Sequence, residues 1–210
     1  MYIKLKSLTD LIFSLALILA MLIPMVVIAI IVKSTSAGPI LFTQKRYGQN
    51  SKPFKVYKFR TMRIDAPEKS NQEFDSMDAY LTSVGSFLRM TSLDELPQLF
   101  NILEGHMSFI GPRPLADSDY DVIKARMDSG ADKVKPGITG LAQVNGRNFL
   151  SDGEKAMYDY EYYKNFGFIT DLKILIKTFL TVITRTGINH DVWWNEEKIG
   201  GNIMLYMTSL

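Results

Sequence analysis

T-S-L-D-E-L-P-Q-L-F-N-I-L-E-G-H-M-S-F-I-G-P-R-P, residues 91–114, is the stretch around which the rest of the chain is organised. Ser92 stands three residues before Glu95, the spacing of a capping box, and Leu93, Leu96, Leu99, Phe100 and Leu103 follow at helical period. The pattern predicts a helix that starts near Ser92 and ends near Gly105. Asp94 and Glu95 then fall in its first turn, where free N–H groups and the helix dipole favour negative charge, so both are expected to be ionised at neutral pH. Pro97 is tolerable this early in a helix. At the far end, Pro112 and Pro114 stiffen the backbone around Arg113 and hold a cation ready for an anion. Taken alone, S-L-D-E is more often an ordinary helix start than a functional motif. Its neighbourhood gives it weight.

Upstream, Asp78 to Met90 can form a helix with Leu81, Val84, Phe87 and Leu88 inward, which puts Arg89 just before the acidic pair. Asp65 to Ser76 is polar and aperiodic, a loop. Ile40 to Arg46 and Phe54 to Met62 alternate apolar and polar around the turn-rich Gly48 to Pro53, which predicts a β-hairpin. Lys45, Arg46, Lys52, Lys55, Lys58, Arg60 and Arg63 make it strongly basic. Such a ribbon can face anionic headgroups, or Lys58 and Arg60 can turn inward onto phosphate; both can hold at once.

Downstream, Asp119 to Asp128 reads as a short helix. Lys135 to Asn148 carries three glycines, Gln143 and Arg147, and reads as a loop whose backbone can approach a ligand closely. Glu154 to Asn165 is rich in tyrosine, suited to a core or to a membrane boundary. Asp171 to Arg185 is amphipathic, a core helix or one lying on lipid, with Gly187 as its stop.

Near the N-terminus, Leu11 to Val32 holds no charge and as a straight helix would be about 33 Å long, enough to cross a bilayer. Two features oppose a simple span. Pro24 can kink or break the helix. Both flanks are basic, Lys4 and Lys6 before and Lys33, Lys45 and Arg46 after, and positive flanks prefer the cytoplasmic side. A helix that enters and returns satisfies both flanks; the residues alone leave re-entry and spanning evenly matched.

The 210 residues suffice for one domain with a real core, and a net charge of +2 gives no argument for nucleic acid. The absence of cysteine excludes disulfides and thiolate metal sites. His106 and His190 are isolated, so no histidine-based metal site is supported.

Together these motifs make the chain similar to the bacterial sugar transferase family, small monotopic phosphoglycosyl transferases that start glycan assembly on a polyprenyl carrier. The resemblance rests on F-T-Q-K-R-Y-G (42–48), Y-K-F-R-T-M-R-I-D-A (57–66), S-L-D-E-L-P-Q-L-F-N (92–101), M-S-F-I-G-P-R-P (107–114), P-G-I-T-G-L-A-Q-V-N-G-R-N (136–148) and D-L-K-I-L (171–175). It runs from the apolar segment to about Gly187. It implies an α+β, mainly helical chain with a re-entrant membrane helix in 1–36 broken at Pro24, a basic hairpin, and one catalytic domain with amphipathic interfacial helices in 37–187. The tail, 188–210, has no matching motif.

The resemblance further implies transfer of a sugar-1-phosphate from a UDP-sugar to undecaprenyl phosphate, with UMP released and Mg²⁺ required. The site would lie on the cytoplasmic face of the bacterial inner membrane, at the first membrane step of capsule, exopolysaccharide, lipopolysaccharide or glycoprotein assembly. Later glycosyltransferases of the same pathway would be its partners beyond substrate and lipid. Asp94 would be the nucleophile and Glu95 a metal holder. Arg113 and Arg147 would contact diphosphate and nucleotide, with Lys58, Arg60, Arg89 and Gln143 completing the substrate site. The alternatives are a membrane-bound phosphohydrolase using the same aspartate and a non-enzymatic membrane scaffold. The chain departs from the common family pattern at Ile23, Glu104, His106, Lys135 and Leu141. Nothing in the sequence reads out the sugar.

Overall fold

The apolar run forms the middle of one helix, α1, Tyr2–Thr35, which at about 1.5 Å per residue is about 51 Å long. In the computed structural model residues 2–67, 78–146 and 150–184 are described. α1 is not broken at Pro24, contrary to the expectation: it stays helical to Thr35. A proline removes one backbone donor, which can loosen a long helix without ending it. Only 17% of its most apolar stretch is buried, so α1 is not the core helix of a soluble protein. Asp10, Ser14, Ile18, Met25, Ile28 and Val32 form a buried stripe along one side. Leu15, Leu19, Leu22, Ile23, Val26 and Ile30 stay exposed.

That stripe follows the remainder of the chain over the whole helix. Ile18 packs with Phe54, Val56, Leu99, Ile102 and Met107. Met25, Ile28 and Val32 pack with Phe59 and Leu88. At the helix start Tyr2 Oη and Lys6 Nζ both donate to Asp171 Oδ2 at 2.6 Å.

β1 (Leu41–Tyr47) and β2 (Pro53–Phe59) pair antiparallel, with Arg46 opposite Phe54 and Phe42 opposite Lys58. A short helix, α2 (Gly85–Met90), follows the 3₁₀ turn Asp78–Tyr80. Of the side chains expected to face inward there, Leu88 is buried but Phe87 is exposed. The long helix expected from Ser92 is two pieces: a 3₁₀ turn at Leu93–Glu95, then α3 at Gln98–Leu103 with Pro97 at its start. Ser92 sits in the left-handed region (φ 56°) and caps nothing with its side chain, so the capping box does not form. Proline at 97 cannot donate a helical hydrogen bond, which separates the turn from the helix. α3 is held to β2 by Asn101, whose Nδ2 donates to Lys55 O (2.8 Å) and whose Oδ1 accepts from Tyr57 N (3.0 Å).

β3 (Ser108–Ile110) pairs parallel with β4 (Gly137–Thr139). The 135–148 segment is thus partly regular, since α5 (Leu141–Asn145) follows β4. Its glycine at 140 allows close approach, but to Gly111 of the preceding strand turn: a Cβ there would strike the Gly111 carbonyl. α4 (Tyr120–Ser129) and α6 (Asp152–Lys164) are joined by the buried pair Arg126–Asp159, with Nη2 2.6 Å from Oδ2. Burial raises the Asp159 carboxyl above its ordinary range, against the pull of Arg126. α7 (Phe168–Thr184) buries Ile174 and leaves Leu175, Ile176, Phe179 and Leu180 exposed. The 188–210 tail lies outside the described residues.

Candidate active site

Asp94 and Glu95 sit side by side in the 3₁₀ turn before α3. Asp94 is 8% exposed. Burial pushes its carboxyl up to about 6; Lys58 and Arg89 pull the other way, and Glu95 adds to the rise. A carboxyl near 6 is still mainly ionised at neutral pH, as the sequence predicts, but burial rather than a helix start sets its value. A single 3₁₀ turn presents little dipole, so desolvation prevails.

The cations divide into two groups. Lys58 Nζ lies 2.7 Å from Glu95 Oε1, both side chains about a quarter exposed. Arg89 Nε donates to Thr61 Oγ1 at 2.9 Å, and its charge acts on Asp94. Gly85 makes this possible: α2 begins so close to Thr61 that a Cβ at 85 would collide with the Thr61 carbonyl. Lys58, Arg89, Asp94 and Glu95 are therefore one cluster.

Arg60 does not join it. Its guanidinium donates to the carbonyls of Ser36, Ala37 and Pro39 and to Ser36 Oγ, bracing the corner between α1 and β1. With those donors committed to the carbonyls of this corner, it is placed as a structural brace rather than as the phosphate ligand expected from the sequence.

Arg113 is exposed and lies near Arg46, whose own charge is destabilised by burial and by Arg113. Arg46 is held by Gln44 Oε1 at 2.6 Å and faces Asp119 Oδ2 at 3.8 Å. Two facing guanidiniums repel until an anion lies between them. Because Arg46 is opposite Phe54 in the hairpin, this second group is about 13 Å along β2 from Lys58. The Gln143 amide lies against Gly140, which abuts Gly111, two residues before Arg113. Both polar atoms of that amide are buried with no partner, so a polar ligand group would satisfy them. Arg147 lies outside the described residues.

Thr61 and Arg46 were not singled out for these roles in the sequence. Each lies inside a quoted motif, Thr61 in 57–66 and Arg46 in 42–48, but one reads only as a hydroxyl past the hairpin and the other as one of many hairpin cations. Among the described residues no group of three or more His, Asp or Glu side chains gathers as a metal cage. The acid pair with Lys58 and Arg89 nevertheless has the composition of a site for phosphate esters: a carboxylate able to attack and fixed cations to neutralise charge.

A long apolar helix left mostly exposed fits association with a membrane. The chain belongs to the bacterial sugar transferase family, whose model matches residues 1–185. It is 45% identical over 185 residues to a UDP-glucose:undecaprenyl-phosphate glucose-1-phosphate transferase of Klebsiella pneumoniae, covering 84% of this chain and 39% of that protein. It is 41% identical over 172 residues to the sugar transferase EpsL of Bacillus subtilis, covering 82% of this chain and 84% of that one. An undecaprenyl-phosphate galactose phosphotransferase of Salmonella typhimurium is 38% identical over 165 residues, 71% of this chain and 34% of the relative. The chain thus spans well under half the length of the Klebsiella and Salmonella relatives and most of the Bacillus one.

Proposed function

We propose that the protein transfers a sugar-1-phosphate from a UDP-sugar to undecaprenyl phosphate at the cytoplasmic face of the membrane, releasing UMP. The observation that carries the reading is Asp94: a buried carboxyl, raised to about 6, beside Glu95, Lys58 and Arg89. At neutral pH it is mainly ionised, desolvated and therefore nucleophilic. Its oxygen attacks the sugar-bearing phosphorus while the phosphorus–oxygen bond to UMP breaks. A phosphate oxygen of the polyprenyl acceptor then attacks the acyl phosphate and frees the Asp94 carboxylate. Two half-reactions let a soluble donor and a lipid acceptor use one site in turn.

Lys58 and Arg89 neutralise the donor's diphosphate near Asp94, and Arg113 with Arg46 supplies a second cationic point for its more distant part. Gln143 gives that end a donor and an acceptor. Mg²⁺ suits the cluster, because that ion is commonly held by one or two carboxylates plus substrate phosphate oxygens. Glu95 is the residue that would hold it, and Lys58 would then exchange Glu95 for phosphate. The ion supplies charge neutralisation.

Re-entry of α1 into one leaflet is part of the proposal, and it requires α1 to bend at Pro24 while remaining helical. The support is that both ends of the helix touch the rest of the chain, at Asp171 near its start and at Phe59 and Leu88 near its end. A helix crossing to the far side would leave one end behind. The exposed apolar faces of α1 and α7, with the basic hairpin, then meet lipid. The test is UMP release from a panel of UDP-sugars with and without undecaprenyl phosphate. Release that needs the lipid supports transfer. Equal release without it indicates a hydrolase, and no release with any donor overturns the reading.

A further inference from the structure

The turn that bears the acid pair and the short helix before it stand on the same part of α1. Leu88 of α2 is buried with Met25, Ile28 and Val32 of α1. Leu93 and Leu96, on either side of Asp94 and Glu95, pack against that cluster. Over the same stretch α1 leaves Val26, Val27 and Ile30 exposed. The reacting carboxyl is therefore footed on the helix proposed to meet lipid.

On α2 itself two large apolar side chains are uncovered, Phe87 at 52% and Met90 at 44% exposure. They are three residues apart, so they lie on one side of the helix. Leu88 holds α2 to α1, and Thr91 Oγ1 closes its end by donating to Phe87 O at 2.7 Å. Between Phe87 and Met90 in the chain is Arg89, whose Nε donates to Thr61 Oγ1 and whose charge acts on Asp94. A cation of the reacting site is thus flanked by two exposed apolar groups.

We propose that Phe87 and Met90 seat the first isoprene units of the polyprenyl acceptor and bring its phosphate past Arg89 to Asp94. The inference rests on the transfer reading above and names residues for its second half-reaction. The chemistry selects this occupant. A UDP-sugar is polar along its length and gains little from a phenyl ring and a thioether. The acceptor joins an unsaturated apolar chain directly to an anionic phosphate, and α2 joins two polarisable apolar groups to a guanidinium. An ordinary phospholipid has glycerol between its phosphate and its acyl chains, which sets the two features further apart. Because Leu88 seats α2 on α1, the isoprenoid chain need not leave the bilayer to reach this face.

The test uses the full chain in mixed micelles of a neutral detergent. UMP release is followed at saturating donor while the mole fraction of undecaprenyl phosphate is varied. Phe87→Ser with Met90→Ser should raise the KM for the lipid about tenfold and leave the KM for donor near wild type. Phe87→Leu with Met90→Leu should restore most of the lost affinity. Leu175→Ser with Phe179→Ser removes exposed apolar groups from α7 and should leave the acceptor KM in place. An unmoved acceptor KM in the α2 serine variant, or an equal rise in the α7 variant, would overturn the inference. The burst of UMP from donor alone, at most one per enzyme, reports the first half-reaction separately. A wild type with neither a burst nor lipid-dependent release would remove the transfer reading itself, and this seat with it. A normal burst with an unmoved acceptor KM in the α2 serine variant would remove the seat alone.

Discussion

Lys58 Nζ lies 2.7 Å from Glu95 Oε1, and the buried carboxyl of Asp94 is the next residue in the same turn. One ammonium therefore serves two acids of different standing: Glu95 receives its hydrogen bond, and Asp94 receives only its field. That division shapes what the site does with pH and with substitution.

Asp94→Asn should abolish transfer and also stabilise the fold. The Asp94 carboxyl rises from 3.8 to about 6 on folding, so the native state binds more protons between those values and stability falls as pH rises through them. Relief from a two-unit shift is worth up to about 3 kcal/mol at neutral pH and nothing below about pH 4. Thermal melts of both proteins at pH 7.5 and pH 4 check this. A gain of equal size at the two pH values would mean that the carboxyl is not the cause.

The rate at low donor concentration should rise with pH through about 6 and then level, because the nucleophile must be ionised. Lys58→Gln removes a charge that lowers the Asp94 pKa, so the midpoint should move to higher pH as well as the plateau falling. A pH–rate profile of UMP release is the measurement, and an unmoved midpoint would dissociate Lys58 from Asp94.

Glu95→Gln should weaken the rate and the response to Mg²⁺ together, if Glu95 is the residue that holds the ion. Activity titrated with Mg²⁺ reports it. A variant with reduced rate but the wild-type Mg²⁺ midpoint would leave Glu95 only its pairing with Lys58.

Arg60→Ala should lower stability by about 3 kcal/mol or more, because several carbonyls at the 36–39 corner lose their donors. Arg60→Lys should not rescue it, since an ammonium cannot fork across those acceptors. The KM for donor in the folded fraction should stay near wild type. A large rise in KM with an unchanged melting temperature would return Arg60 to the substrate site.

Single cysteines at Lys4 and Lys45 can be labelled cleanly, as the chain has none of its own. Both positions are exposed. A membrane-impermeant maleimide added to sealed inside-out vesicles should label both if α1 re-enters. Labelling of one from each side would establish a span.

Local pattern made several elements readable in advance. The hairpin followed from alternation around turn formers, α4 from a short periodic run, and α7 from its amphipathic spacing. The acid pair and the proline-flanked arginine were also visible, because they are adjacent in the chain. The helix expected from Ser92 failed because Pro97 outweighed the periodicity of the leucines. The break expected at Pro24 failed because neighbouring turns kept the helix intact.

What the sequence determined by itself was composition and local order: an apolar helix of membrane length, a basic ribbon, two neighbouring carboxyls, and no thiol chemistry. Tertiary structure alone decided that Asp94 is buried and raised while Glu95 takes the lysine, that Arg60 braces a corner while Arg89 reaches the site, and that Asp10 is left with a free oxygen. The physical reason is that desolvation and pairing depend on what comes together from distant parts of the chain. Neither has a signature in the residues that flank an ionisable group.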